Sequence, residues 1–198
     1  MALAGLEPAS TRLVVGLGNP GPEFAETRHN LGFRCVDTLA RRFDARWQDK
    51  RQGLAADVAV LQATPDCTIV VAKPQTFMNR SGTAVRDLVG FLKLTPAQTL
   101  IVYDDMDLPF GRLRLRERGS PGTHNGMRSV VTNLQTDNVA RLRMGISQSS
   151  PGEATSHVLS EFTADEHTAL DEMIERAADA AVEWAEHGAA AAMNRYNN

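Results

Sequence analysis

The stretch from Arg12 to Asn30 constrains this chain more than any other. Leu13 to Val15 form a short apolar, β-branched run that reads as a strand. Gly16, Gly18, Asn19, Pro20 and Gly21 end it with strong turn chemistry. Leu31 to Phe43 then carries apolar residues at 33, 36, 39, 40 and 43, a helical period. A strand, a glycine-rich turn and a helix open an α/β unit, and loops held between rigid elements are where function concentrates. This loop carries the Asn19 amide and leads into His29 and Asn30.

The same glycines fit G-x-G-x-x-G after a strand, a dinucleotide-binding fingerprint. That reading requires a helix to begin at the glycines, so that its free N–H groups face a pyrophosphate. Pro20 and Pro22 remove two such donors, and the run Ala56 to Leu61 ends in Gln62-Ala63-Thr64 without the acid that would hold a ribose. A nicotinamide oxidoreductase is therefore the weaker reading.

Further along, Gly53 to Leu61 and Cys67 to Ala72 read as strands joined by the turn Thr64-Pro65-Asp66. Lys73 to Asn79 is a polar loop, Ser81 to Leu92 a helix, and Thr99 to Tyr103 a buried strand ending at Asp104. Arg112 to Glu117 reads as a strand, Met127 to Leu134 as a helix and Arg141 to Ile146 as a strand. Thr163-Ala-Asp-Glu166 fits a capping box before a long helix from about Ala164 to His187, and a short helical piece follows Gly188. Interleaved strands and helices with some adjacent strands predict an α/β fold: one domain, residues 12–198, whose mixed central sheet is flanked by helices. Residues 1–11 are expected to form a flexible leader.

Apolar content of 42% and charged content of 23% suit a globular protein, and no run reaches membrane-spanning length. Cys35 and Cys67 make neither a disulfide framework nor a metal quartet, which points to a reducing cytoplasm. The net charge of −3 hides an asymmetry: seven arginines against two acids between 112 and 143, and ten acids against one arginine between 153 and 186. Charge distribution, not its sum, decides whether a polyanion can bind.

Polar groups stand at strand ends or in neighbouring loops: Asn19 with His29, Asn79 after Met78, Asp104, and His124-Asn125 in a glycine-rich loop. Ligands of open α/β sheets collect where such loops converge. Histidine suits proton transfer near neutral pH, and an aspartate can fix its tautomer. With no serine or cysteine nucleophile beside a histidine, the pattern favours a histidine acting on water. Taken singly, each residue also has a plain structural reading: His29 a cap, Asn19 a turn residue, Asn79 a helix start, Met78 core, and the acids after Tyr103 solvation or a metal site. Arg112, Arg114, Arg116 and Arg118 fall at every second position, which on a strand puts all four on one face. Such a face is either a solvated edge or a phosphate-binding surface.

Gly16-Leu-Gly-Asn-Pro-Gly21, Thr27-Arg-His-Asn30, Lys73-Pro-Gln-Thr-Phe-Met-Asn79 with Ser81-Gly82, Asp104-Asp-Met-Asp-Leu-Pro109 and His124-Asn-Gly126 together resemble the bacterial peptidyl-tRNA hydrolase family, in its order and spacing from Arg12 to Tyr196. The resemblance implies a phosphorylase/hydrolase-like α/β fold and a monomeric, cytoplasmic, metal-independent and cofactor-free esterase. Such an enzyme frees tRNA from peptides for reuse in translation. Carried over by motif, His29 is the general base and Asp104 orients it, while Asn19 and Asn79 place the peptide and the ester. Phe24 and Met78 meet the peptide, Asn125 binds the substrate backbone or a water, and Arg116 and Arg143, with Arg114 beside them, hold tRNA. His124 is read as ordering its loop. Phe24 stands where the family commonly has tyrosine, and Arg118-Gly-Ser-Pro-Gly-Thr123 replaces a nearly pure glycine run, so Pro121 stiffens the loop and Thr123 adds a side chain to it. The alternative is a non-catalytic RNA-binding relative on the same fold, against which the intact Asn19, His29, Asn79 and Asp104 argue.

Overall fold

β1 (Thr11–Gly16) is buried on both sides, which is why its sequence is a continuous apolar run and not an alternation. Among the residues described by the structure, a computed structural model covering 3–150 and 152–197, β1 lies at the centre of a seven-stranded sheet. The elements follow as α1 (Leu31–Arg42), β2 (Gln48–Asp49), the single turn α2 (Arg51–Leu54), β3 (Ala56–Thr64), β4 (Cys67–Pro74) and α3 (Ser81–Phe91). After them come β5 (Thr99–Asp105), β6 (Leu113–Arg116), α4 (Asn125–Leu134), β7 (Ala140–Gly145), α5 (Ala154–Val158) and α6 (His167–Tyr196). Strand order is β2-β3-β4-β1-β5-β7-β6. The inner strands β4, β1, β5 and β7 run parallel, and β2, β3 and β6 add antiparallel edges. The mixed sheet expected from the sequence is what forms.

Alternation along the strands divides the core between two faces. Val14, Val71, Leu100, Val102 and Leu142 pack with α1 and α6, whereas Leu13, Val15, Val70, Ile101 and Tyr103 pack with α3 and α4. The glycines of the first loop belong to this packing. A Cβ on Gly16 would land on the backbone of Gly32, and one on Gly18 would meet the Phe33 ring at 2.7 Å and Asn30 Oδ1 at 3.0 Å. They let α1 lie directly against β1. Two short 3-10 turns, Pro22–Phe24 and Arg28–Asn30, separate the glycines from Leu31, where α1 begins. The loop therefore has no helix N-terminus to offer a pyrophosphate, and the strand parallel to β1 on that side is β4, reached through an antiparallel hairpin.

Three boundaries differ from expectation. The strand expected from Gly53 starts at Ala56, because Gly53 adopts φ +105° in the preceding turn. The arginine strand is shorter than expected, so Arg114 and Arg116 lie on β6 while Arg112 and Arg118 flank it. The leader expected to be flexible is anchored in its described part: Leu3 is buried, Pro8–Ser10 form a turn, and Gln98 Nε2 donates to Pro8 O (2.7 Å). Residues 1, 2, 151 and 198 of the expected ranges lie outside the described residues.

The Thr163–Glu166 capping box forms ahead of α6, and Gly188 (φ +84°) bends that helix before its last two turns. The acidity of α6 is partly directed inward, since Glu175 pairs with Arg41 and Arg42 of α1, and Asp179 with Arg42. Glu166 also accepts both ends of the Arg28 guanidinium (3.0 and 2.7 Å). Hydrogen bonding from Arg28 first, and from Thr163, holds the Glu166 carboxyl at about 2, down from 4.5, against a smaller opposing effect of burial. Because the folded value lies below the unfolded one, this stabilisation is complete above pH 4.5 and lost as pH falls towards about 2. Glu166→Gln should therefore lower Tm near neutrality by about 6 °C, from about 2 kcal/mol. The gap to wild type should close between pH 4.5 and about 2, as thermal unfolding against pH would show. A gap of constant size down to the acid limit would contradict it.

Candidate active site

The parallel strands β1, β4 and β5 end on the same edge of the sheet, and their C-terminal extensions carry the polar residues singled out by the sequence. Asp104 is the penultimate residue of β5 and is 1% exposed. His29 projects from the Arg28–Asn30 turn, and its Nδ1 lies 2.9 and 3.0 Å from the two Asp104 oxygens. His124 reaches the same carboxylate, with Nε2 3.2 Å from Asp104 Oδ1. The two imidazoles meet edge to face at 5.0 Å, and Tyr103 packs on His124 at 4.6 Å.

The hydrogen bonds dictate where the protons sit. His124 is the N-cap of α4, and its Nδ1 accepts the Met127 N–H (3.1 Å). In neutral form His124 must then carry its proton on Nε2, where it donates to Asp104. Asp104 also accepts from His29 Nδ1–H, which leaves His29 Nε2 as a lone-pair nitrogen, and His29 lines the large cavity. Burial pushes the Asp104 carboxyl up, but the two histidines outweigh it and hold the group well below the usual carboxylate range. It is an anion at every working pH. His29, Asp104 and His124 are close enough together to invite a metal ion, their ligand atoms lying within 4.8 Å of one another. The α4 cap argues otherwise: the tautomer it enforces presents a proton, not a lone pair, from His124 Nε2. The trio fits protons better than a cation.

Asn19 is organised by its neighbours. Asn30 Oδ1 accepts the Asn19 N–H (2.8 Å) and Asn30 Nδ2 donates to Asn19 O (3.0 Å), while Asn19 Oδ1 accepts the Met78 N–H (2.8 Å). With its oxygen engaged, Asn19 keeps its Nδ2 protons for a ligand carbonyl. Met78 is buried and its sulfur packs on Gly126 at the start of α4, where a Cβ would collide with it. Asn79 and Asn125 are exposed. Phe24 meets Phe77 edge-on at 6.4 Å, and Phe77 is 58% exposed.

A cavity of about 590 Å³ opens over the histidines, within the range that holds small ligands. His29, Asp104, His124 and Asn125 line it, together with Arg116 and Arg143. Asn19 lines a separate hollow of about 320 Å³, behind the first loop. On the antiparallel β6–β7 pair, Arg114 stands opposite Arg143 and Arg116 opposite Arg141. Arg143 is bonded to Asp105, whereas no carboxylate lies within 4.0 Å of Arg114 or Arg116 among the described residues. Arg141 does not contribute to the charged surface: it is 2% exposed and donates to the carbonyls of Gly119, Ser120 (2.9 Å), Asp137 (3.0 Å) and Val139. Together with the Arg128 bond to Thr123 O (3.2 Å), it holds the loop before His124 in place.

The sequence profile described as Peptidyl-tRNA hydrolase matches residues 13–198. The chain belongs to this family. A peptidyl-tRNA hydrolase of Chloroflexus aurantiacus is 50% identical over 188 residues, 93% of this chain and 98% of the relative. One from Synechocystis is 44% identical over 190 residues, covering 94% and 96%. Among solved structures, the peptidyl-tRNA hydrolase of Acinetobacter baumannii superposes with a TM-score of 0.88 at 32% identity, covering 98% of this chain and 97% of that one.

Sequence reasoning placed His29 and Asp104, and the structure brings them together. It missed that His124 is the second partner of the same carboxylate, and that Asn30 clamps Asn19. The signal for the first was a histidine immediately before a helix start, where a ring nitrogen can cap. For the second it was an asparagine at the end of Thr27-Arg-His-Asn30, where its side chain can turn back on the glycine loop.

Proposed function

We propose that this protein hydrolyses the ester joining a peptide to the terminal ribose of tRNA, with His29 as general base. The observation that carries this reading is a histidine fixed by a buried carboxylate in a cavity that arginines also line. A water beside His29 attacks the ester carbonyl carbon while Nε2 takes its proton. The tetrahedral oxyanion collapses, the carbon–oxygen bond to the ribose breaks, and the imidazolium returns the proton to the leaving hydroxyl. The products are a peptide carboxylic acid, which loses its proton to solvent, and a tRNA with a free terminal hydroxyl. Asp104 orients His29 and stabilises its charged form. Asn19 and Asn79 supply amide N–H donors to the peptide and to the carbonyl oxygen. Met78 and Phe24 meet the peptide, and Asn125, exposed beside His124, binds the substrate backbone or the attacking water.

Arg116 and Arg143, with Arg114 on the same face, hold the tRNA phosphates. Contacts of this kind carry no base-sequence information, as an enzyme accepting many tRNAs requires. Neither metal nor cofactor is needed, because an ester is activated enough for a base, a placed water and oxyanion donors. We further propose a monomer acting in the cytoplasm. Burial pushes the Cys35 thiol up to about 12 and raises Cys67, as for small residues packed in the core. Among the described residues no helix is long and apolar enough to cross a membrane.

The test is release of N-blocked amino acid or peptide from tRNA in excess EDTA, with polyamine to keep the tRNA folded. Hydrolysis at the rate seen before chelation is expected. Binding of the tRNA with the ester left intact would favour the RNA-binding alternative, and activity restored only by a divalent ion would end the metal-free mechanism.

A further inference from the structure

The residue before His29 is buried, charged and gripped from a distant part of the chain. Arg28 is 6% exposed. Its NH1 and NH2 donate to Glu166 Oε1 (3.0 Å) and Oε2 (2.7 Å), and its Nε to Ser160 Oγ (3.3 Å). Its guanidinium lies over the Phe162 ring at 4.4 Å, and its backbone N–H donates to Ser160 O (3.0 Å). One residue earlier, Thr27 forms a β-bridge with Glu161. Phe162 is itself buried against Phe110, and Glu166 is already fixed by the Thr163 capping box. The strap 160–166 is thus held by its own contacts, and all three guanidinium nitrogens of Arg28 donate to it.

An arginine is costly to bury unless its donors are matched, and the fork, charge and flat face used here belong to no other side chain. The strap is also the link between α5, whose Ala154, Thr155 and Val158 line the cavity, and α6. On the other side, His29 Nδ1 must stay at hydrogen-bond distance from both Asp104 oxygens, a tolerance of about 0.5 Å. The 28–30 turn has no side-chain cap of its own to secure it.

We propose that Arg28 is a positioning residue for the hydrolytic reaction: by locking the 28–30 turn to the 160–166 strap, it holds His29 on Asp104 and makes the base and the α5 wall of the cavity move as one body. This rests on the reading of His29 as the general base. Arg28 touches no substrate. Its loss acts on the geometry of the proton transfer and not on tRNA affinity.

The experiment compares full-length wild type, Arg28→Lys, Glu166→Gln and His29→Ala with N-blocked aminoacyl-tRNA, measuring kcat, KM, the pH profile and Tm. Imidazole nitrogen NMR reports the state of His29. Arg28→Lys keeps the charge but loses the fork and the stacking. It should lower kcat about 10- to 100-fold, the range for a misplaced catalytic group, with KM changed less than about threefold. Its acid limb should shift, and the His29 nitrogen resonances should move or broaden. Glu166→Gln retains a capping acceptor, so it should fold and show the same change on a smaller scale. If either folded variant keeps the wild-type kcat and His29 resonances while only Tm falls, Arg28 is a structural residue and the proposal is overturned. An inactive His29→Ala beside a fully active Arg28→Lys defeats this inference alone. An active His29→Ala defeats the reading of the base, whatever Arg28 does.

Discussion

His29→Ala is expected to lower kcat for peptide release by about 10³-fold, within the range for removing a positioned general base, and to leave tRNA affinity within about twofold. The size of the loss depends on whether another group can step in. Among the described residues His124 is the only other imidazole on Asp104, and both of its nitrogens are engaged, Nδ1 by the Met127 N–H and Nε2 by the carboxylate. It has no free lone pair to offer a water. Asp104 is a weak base, held ionised far below neutral pH. Neither partner in the trio can therefore replace His29 as the base. The arginines proposed to hold tRNA, Arg114 and Arg116, stand on the edge strand β6 and not on the 28–30 turn. The alanine variant should also leave a gap beside Asp104, and added imidazole should restore part of the activity. A variant still turning over at one tenth of the wild-type rate or better would remove His29 from the mechanism.

What the sequence made legible follows the range of the forces involved. β1, α1 and the loop between them were readable because a strand run, turn glycines and a 3.6-residue period are all local patterns. The meaning of the glycines was not. Gly16 and Gly18 look like phosphate-loop residues, yet they serve the close approach of α1, whose Gly32 and Phe33 are about fifteen positions away. The arginine alternation was readable on β6, but not its limits. Arg118 falls past the strand, where the chain turns into the loop held by Arg141.

Arg141 shows the same limit. Counted by charge it belongs to the basic surface, and only the return of residues 119 and 120 over β7 makes it a buried loop clamp. Glu175 and Asp179 look like solvated acids on a helix, but they face Arg41 and Arg42 some 130 positions earlier. In the site, His29 and Asp104 carried a chemical signature, whereas the partners that hold them, Arg28 through Glu166 and Asp104 through His124, are contacts between remote residues. Function showed in residue type and motif, while support depended on topology.

The second large effect is expected at Asp104, where asparagine keeps the shape and removes the charge. Asp104 receives two N–H donors, and one of them cannot change: the α4 cap obliges His124 to present Nε2–H. The asparagine oxygen must therefore face His124, at the position of Oδ1. Its NH₂ then takes the place of Oδ2, which lies 3.0 Å from His29 Nδ1. Two N–H groups cannot point at each other, and although Nδ1 is also 2.9 Å from the retained oxygen, the NH₂ now competes with it, so the Nδ1–H tautomer is no longer enforced and His29 is free to accept at Nδ1 and carry its proton on Nε2. That is the wrong nitrogen for deprotonating water in the cavity. The carboxylate charge that would stabilise the imidazolium also goes. Both effects act on the chemical step, and the expected fall in kcat is about 10³- to 10⁴-fold, as for an aspartate that sets a catalytic histidine's tautomer. KM and the circular dichroism spectrum should stay near wild type, since the shape is conserved. Nitrogen NMR should show the His29 proton on Nε2 in the variant and on Nδ1 in wild type. If the tautomer changes and the rate does not, proton transfer through His29 does not limit the reaction. If neither changes, Asp104 is a fold residue and the base must be sought elsewhere along the cavity.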